Sequence, residues 1–231
     1  MSAEEYFARD PALVTTHPEA AVWVRAYFHG DALRGVGPFT GGFFDDLGHR
    51  GEPDPAPDEL TPADLLALEM LDARVAPAQI PWLLEDPEIG RLLARIPFQT
   101  RIWEDILPEG AEPWPVWAAL RDRHGLGEAT ATKVLARKRP HLAPVVDEAV
   151  VAALQPTRPG SVWLWEGLRE RFRDSGLRDG LTDVAIEADV PGLPLLRVLD
   201  AVIRMRDTEV RLVEHEAEMG PEGTRPALSS A

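Results

Sequence analysis

The chain contains no cysteine. That absence excludes disulfides, thiolate zinc sites, iron–sulfur clusters and a cysteine nucleophile together. Asparagine is also absent, and only two of the 24 basic residues are lysines, Lys133 and Lys138. With abundant Ala, Pro, Gly and Arg, this composition reflects high-GC codon usage, so arginine in place of lysine carries little functional information. No charge-free run exceeds ten residues, which is too short to cross a bilayer as a helix. The start, Met1 to Phe7, is acidic and lacks the apolar stretch of a signal peptide, so a cytoplasmic location away from any membrane is expected. Alternating Val, Ile and Thr runs are missing, and with them the usual strand signals. The six histidines form no pair at i, i+3 or i, i+4, so no metal site is expected. No cofactor motif and no Ser/His/Asp pattern is evident.

The 231 residues are 45% hydrophobic and 27% charged, enough to bury a core without staples. The net charge of −15 disfavours a protein that coats nucleic acid over its whole surface, though it allows a local basic patch. Helical periodicity is the dominant pattern. Thr61-Pro62 combines a favoured N-cap with proline at the first helical position. Leu195, Val198, Leu199, Val202 and Ile203 recur at i, i+3, i+4, i+7 and i+8, the strongest amphipathic pattern present. Trp165, Leu168 and Phe172 mark another helix. The expected architecture is all-α: one multi-helix globular domain over residues 1–206 containing a helix-hairpin-helix element. Gly48 to Asp58, rich in Pro and Asp, reads as a linker or long loop. Residues 207–231 read as an acidic, largely flexible tail.

The informative stretch is Arg121 to Leu154. One helix should end at Gly125, where glycine suits the left-handed position after a helix. Leu126 can pin the turn to the core, and Gly127 lets the backbone approach a ligand. A second helix then starts, predicting helices over 114–124 and 128–138. Its first amides and dipole form an anion site. Arg121 to Arg139 carries six cations against two carboxylates, and both lysines lie there. On this reading Lys133, Arg137 and Arg139 are exposed beside the Gly127 amide and contact phosphates.

Gly125-Leu126-Gly127-x-x-Thr130-Ala131 resembles the hairpin signature of the helix-hairpin-helix DNA glycosylase superfamily. In that family a Pro-Val-Asp-like segment follows, and its aspartate is catalytic. Here Pro144-Val145-Val146-Asp147 falls at the corresponding spacing, 17 positions after Thr130. The likeness covers roughly residues 60–155. It implies binding to the DNA backbone through Gly125, Gly127, Thr130, Lys133, Arg137 and Arg139, and a catalytic Asp147 in monofunctional base excision. Ala129 stands where bifunctional members keep a nucleophilic lysine, so lyase chemistry is not implied. The whole chain is also similar to an uncharacterised domain-of-unknown-function family of high-GC bacteria.

Two readings of these residues stay open. Asp147 is either a carboxylate presented to a flipped nucleotide or the N-cap of the helix that follows it. The hairpin either binds phosphates or is a helical corner within a non-catalytic scaffold for packing or protein partners. Among the seven tryptophans, Trp103 and Trp114 border a Pro/Glu-rich loop and are candidates for a base-stacking pocket. Most of the tryptophans are expected in the core.

Overall fold

The computed structural model describes residues 3–12, 16–31, 37–49, 52–104 and 112–206. Among these residues the regular structure is helical, and no sheet forms. In chain order the helices are α1 (Ala3–Tyr6), α2 (Ala20–His29), a 3-10 turn (Thr40–Phe43), α3 (Pro62–Glu69), α4 (Ile80–Glu85), α5 (Pro87–Leu93) and α6 (Trp114–Ala118). A π-helical turn (Ala119–Arg123) extends α6, followed by α7 (Glu128–Lys138), α8 (Glu148–Leu154), α9 (Ser161–Phe172) and α10 (Ser175–Glu187). The last described element, α11, is a helical run over 195–206. The expected tail, residues 207–231, lies outside the described residues.

Local chemistry sets the helix starts. Thr61 and Asp64 form a reciprocal capping box at α3, with Pro62 at the first position. Asp86, Asp147 and Asp174 cap α5, α8 and α10 by accepting backbone amides. Buried apolar residues from Tyr6 to Ile203 form one continuous cluster. The amino-terminal segment is stitched to the turn after α8: the Ala8 amide donates to the Gln155 carbonyl at 3.0 Å, and the Thr157 amide to the Tyr6 carbonyl at 2.9 Å.

α7 is the central element. Every residue from Ala131 to Arg139 is buried. A helix surrounded on all sides must take its cations inside with it, and carboxylates from other elements neutralise them. This changes the reading of the Pro/Asp-rich segment. Residues 52–58 are irregular, as expected, but they are docked rather than a free linker: Asp54 accepts from the Lys138 ammonium at 2.7 Å, and the Pro57 carbonyl from Arg139 at 2.7 Å. Pro and Asp disfavour helix; they do not prevent packing. Val22 and Leu66, although apolar, point to solvent.

Candidate functional site

Helical segments flank Gly125–Gly127, but where one helix over 114–124 was expected, α6 ends at Ala118 and a π-helical turn follows; α7 covers the expected 128–138. Gly125 takes a left-handed φ of 64°, and its amide donates to the Arg121 carbonyl at 2.9 Å. The Leu126 amide reaches the Leu120 carbonyl at 3.2 Å, across the π-helical turn. Leu126 is buried and holds the turn to the core. Gln79 covers the turn from one side, donating to the His124 carbonyl at 2.6 Å. Gly125 and Gly127 are exposed and Thr130 is half-buried. A Cβ on Gly127 would meet nothing within 4 Å, so this glycine marks open surface rather than internal contact.

The expected basic face does not exist. Lys133, Arg137 and Arg139 are 5%, 4% and 0% exposed, and Lys138 is also fully buried. Lys133 donates to the Leu71 carbonyl at 2.7 Å. Arg137 binds Asp64 at 3.1 Å, the Phe44 and Leu47 carbonyls, and His49. Lys138 bridges Asp54 at 2.7 Å and Asp64 at 3.0 Å. Arg139 pairs with Asp58 and donates to the carbonyls of Leu93 and Ile96. The expectation of exposure assumed that charge lies on a solvated face, and α7 has no such face. Arg137, Lys138 and Arg139 hold residues 44–49 and 52–58 and the end of α5 onto α7.

Asp147 belongs to a second interior network. Its Oδ1 caps α8 by accepting from the Val150 amide at 3.2 Å. Its Oδ2 accepts from Arg204 and lies 3.8 Å from the Lys133 ammonium. Arg204 also pairs with Asp200, Asp200 with Arg197, and Arg197 with Asp45 at 2.8 Å. Burial alone would raise the Asp147 pKa, but Arg204, the Val150 amide and Lys133 together hold it below the usual carboxylate range. Lys133 is pushed below the usual lysine range by burial, against the opposing pull of Asp147. Asp147 is thus an N-cap with both oxygens engaged.

Asp147 also borders a groove of about 470 Å³. The first residues of α7, α8 and α9 meet there. Its floor is apolar, from Val146, Val151, Pro156, Pro159 and Leu164, and three carboxylate residues, Glu128, Asp147 and Glu148, line it. Glu128 accepts from the Ser161 amide at 2.6 Å, and hydrogen bonding to Ser161 holds its pKa low. No aromatic side chain lines the groove. Trp114, proposed for base stacking, instead packs edge-on to Trp117 and Trp165, and Trp103 stacks on Phe172. Both belong to aromatic clusters against the core.

Two features escaped the sequence reading. His49, Asp54 and Asp64 come together with metal-like spacing, although no helical His pair announced it. The Lys138 ammonium and Arg137 guanidinium already sit on these groups, so the cluster is internally neutralised. The other feature is Trp82, which is 73% exposed, whereas most tryptophans were expected in the core. It lies on α4 beside Glu85, Asp86 and His124, around a cleft of about 370 Å³. Pro81 and Pro87 bracket this short helix, and no periodicity within six residues distinguishes an inward from an outward tryptophan.

Among the described residues, no helix is long and apolar enough to cross a membrane. No curated protein and no solved structure matches the chain. A family model does match, over residues 20–207, from α2 to the end of α11, and so spans both interior ion networks and the groove. The chain belongs to the family of unknown function DUF6308.

Proposed function

We propose that this chain is a non-catalytic helical binding module whose groove beside Asp147 receives an apolar, basic segment of a protein partner. One observation carries this reading: an apolar floor lined by three carboxylates, open to solvent at the meeting of three helix starts. Burial of one apolar anchor contributes roughly 1.5–3 kcal/mol, and lysines or arginines flanking it would complement Glu128 and Glu148. The net charge of −15 favours cationic partners over polyanions. The interior positions of Lys133, Arg137, Lys138 and Arg139 support the same choice, because these cations serve the fold.

The test uses a fluorescein-labelled 14-residue peptide of leucine and lysine at helical spacing. Fluorescence anisotropy should show saturable binding on the order of 1–100 μM. Val151, exposed within the groove, is replaced by aspartate. Groove binding weakens at least tenfold in Val151→Asp. Non-specific attraction to an acidic surface strengthens instead, because the variant adds negative charge. Unchanged or tighter binding overturns the proposal.

A second reading, a DNA-interacting and glycosylase-like protein with Asp147 at the reacting sugar, draws on the Gly125–Gly127 turn and on the cavity bordering Asp147. It requires Gly125, Gly127 and Thr130 to meet the DNA backbone without help from the buried cations. Base release from damaged duplex by the wild-type chain, lost in Asp147→Asn, would establish it; no release from any damaged duplex tested removes it.

A further inference from the structure

The surface around α4 is an apolar stretch with an acidic rim, and neither the fold nor the groove uses it. From Arg74 to Glu88 the one buried residue is Leu83, and Ala76, Pro77, Ala78, Pro81 and Trp82 are exposed. Trp82 is the most exposed large hydrophobic side chain among the described residues. Single apolar residues scattered over a surface are ordinary. Five within seven residues, a tryptophan among them, form a patch of the kind that meets a partner. Pro77, Pro81 and Pro87 fix φ at three positions, so little backbone freedom is lost when this stretch is covered. A pre-ordered, exposed tryptophan is the type of residue that anchors protein–protein interfaces.

Two clefts open beside α4 and share Glu85 and Asp86 as a common wall. The cleft of about 370 Å³ is bordered by Trp82. The other, of about 410 Å³, has apolar lining from Leu60, Leu83, Leu84 and Ile89 and carries Asp58 and Glu59. Two of these carboxylates serve the fold: Asp58 pairs with Arg139, and Asp86 lies 2.9 Å from the His124 ring. Glu59 and Glu85 are exposed and make no ion pair among the described residues. No lysine or arginine falls between Arg74 and Arg91 in the sequence. Arg91 lines the larger cleft, but Glu88 pairs with it at 2.8 Å. Glu59 and Glu85 therefore leave a local negative field beside the apolar run.

We infer that the α4 face docks a basic polypeptide segment of a partner, with an apolar side chain of that segment on Trp82 and lysines or arginines beside Glu59 and Glu85. The inference stands independently of the groove beside Asp147. Charge complementarity selects the occupant. A second copy of this chain, with a net charge of −15, would on balance bring like charge to Glu59 and Glu85. Nucleic acid would bring phosphates to the same carboxylates. A small polycation would meet the carboxylates and leave the stretch from Ala76 to Trp82 uncovered. The face does not discriminate lysine from arginine, because an exposed carboxylate pairs with either.

The experiment titrates the full, isotopically labelled chain with a 12-residue peptide of lysine and serine carrying two central leucines. It follows the Trp82 indole signal, assigned with Trp82→Phe, and the Leu84 methyl signals. The Val151 methyl signals in the same spectra report the groove, so either site can fail alone. A saturable shift at Trp82 and Leu84 is expected, with Kd on the order of 100 μM. Serine in place of the two leucines should weaken binding at least fivefold, and arginine in place of lysine should change it less than threefold. Trp82→Ala, and Glu59→Gln combined with Glu85→Gln, alter exposed side chains. Each should weaken binding, followed at Leu84, at least fivefold. Asp183→Asn removes an exposed carboxylate outside both clefts and should change binding less than twofold. No saturable shift up to about 2 mM peptide, equal binding of the all-serine variant, spermine binding as tightly as the peptide, or equal weakening by Asp183→Asn overturns the inference. So does a Trp82 shift that appears on concentrating the chain alone, which would make a second copy the occupant.

Discussion

Asp64→Asn preserves the size of a side chain while removing one interior charge. Asp64 is 3% exposed. It accepts from the Thr61 amide at 2.8 Å, the Thr61 hydroxyl at 2.9 Å, Lys138 at 3.0 Å and Arg137 at 3.1 Å. Asparagine keeps one acceptor oxygen and turns an NH₂ donor group toward either Arg137, which Oδ1 faces, or Lys138 and Thr61, which Oδ2 faces. Removing one partner of a buried ion pair costs about 3–5 kcal/mol, because the remaining charge stays desolvated. Lys138 retains Asp54, and Arg137 retains backbone carbonyls, which places the cost near the low end, about 3 kcal/mol. At roughly 2–4 °C per kcal/mol for a chain of this size, Tm should fall by about 6–12 °C. Urea unfolding followed by tryptophan fluorescence, with scanning calorimetry for Tm, measures both. Glu69→Gln is the control: its partner Arg74 has an 83% exposed side chain, so the loss should stay below about 1 kcal/mol. Equal losses in the two variants, or an Asp64→Asn chain within about 1 kcal/mol of wild type, would refute the claim that the interior ion network organises the fold.

Further outcomes follow from the same networks. Asp64 and Asp147 have lowered carboxylate pKa values; their contribution is present above the unfolded value of about 3.9 and is lost as pH falls through the lowered values. Urea midpoints should accordingly be flat between about pH 6 and 8 and drop below about pH 4, and a midpoint that rises on acidification would contradict this. Asp147→Asn, even though asparagine caps helices as well as aspartate, should cost about 1–3 kcal/mol through Arg204 and Lys133, so a loss near zero by urea unfolding would refute its place in the network. A double-mutant cycle of Asp147→Asn with Arg204→Met should give a coupling above about 1 kcal/mol; additivity would remove that pair. Lys133→Glu should lower Tm, because it buries a carboxylate beside Asp147, whereas an unchanged Tm would show that Lys133 reaches solvent.

Much of the fold was legible in local chemistry. Thr61-Pro62 announced α3 through a capping residue and a preset φ. The Gly125-Leu126-Gly127 turn announced the α6–α7 pair, because a left-handed residue and one apolar anchor are both local requirements. Asp147 as N-cap was equally readable. The direction in which Lys133, Arg137 and Arg139 point was not. A run of cations on a helix looks the same whether it meets water or Asp54, Asp58 and Asp64, which lie 73 to 84 positions upstream of their partners. Only long-range packing distinguishes the two. Nor does sequence show Trp82 facing out, since one tryptophan in a proline-bracketed six-residue helix has no periodicity to consult. α10 was missed for a related reason: Leu177, Leu181 and Val184 face inward among glycines and charges too dense for a clear stripe.

The account rests most heavily on the basic segment being interior, with cationic rather than phosphate-bearing partners at the surface. Fluorescence anisotropy of a labelled duplex DNA titrated with the wild-type chain at low salt tests this directly. The account expects no saturable binding. Saturable binding that weakens with salt, at a log–log slope of about −2 or steeper and thus at least two phosphate contacts, would contradict it.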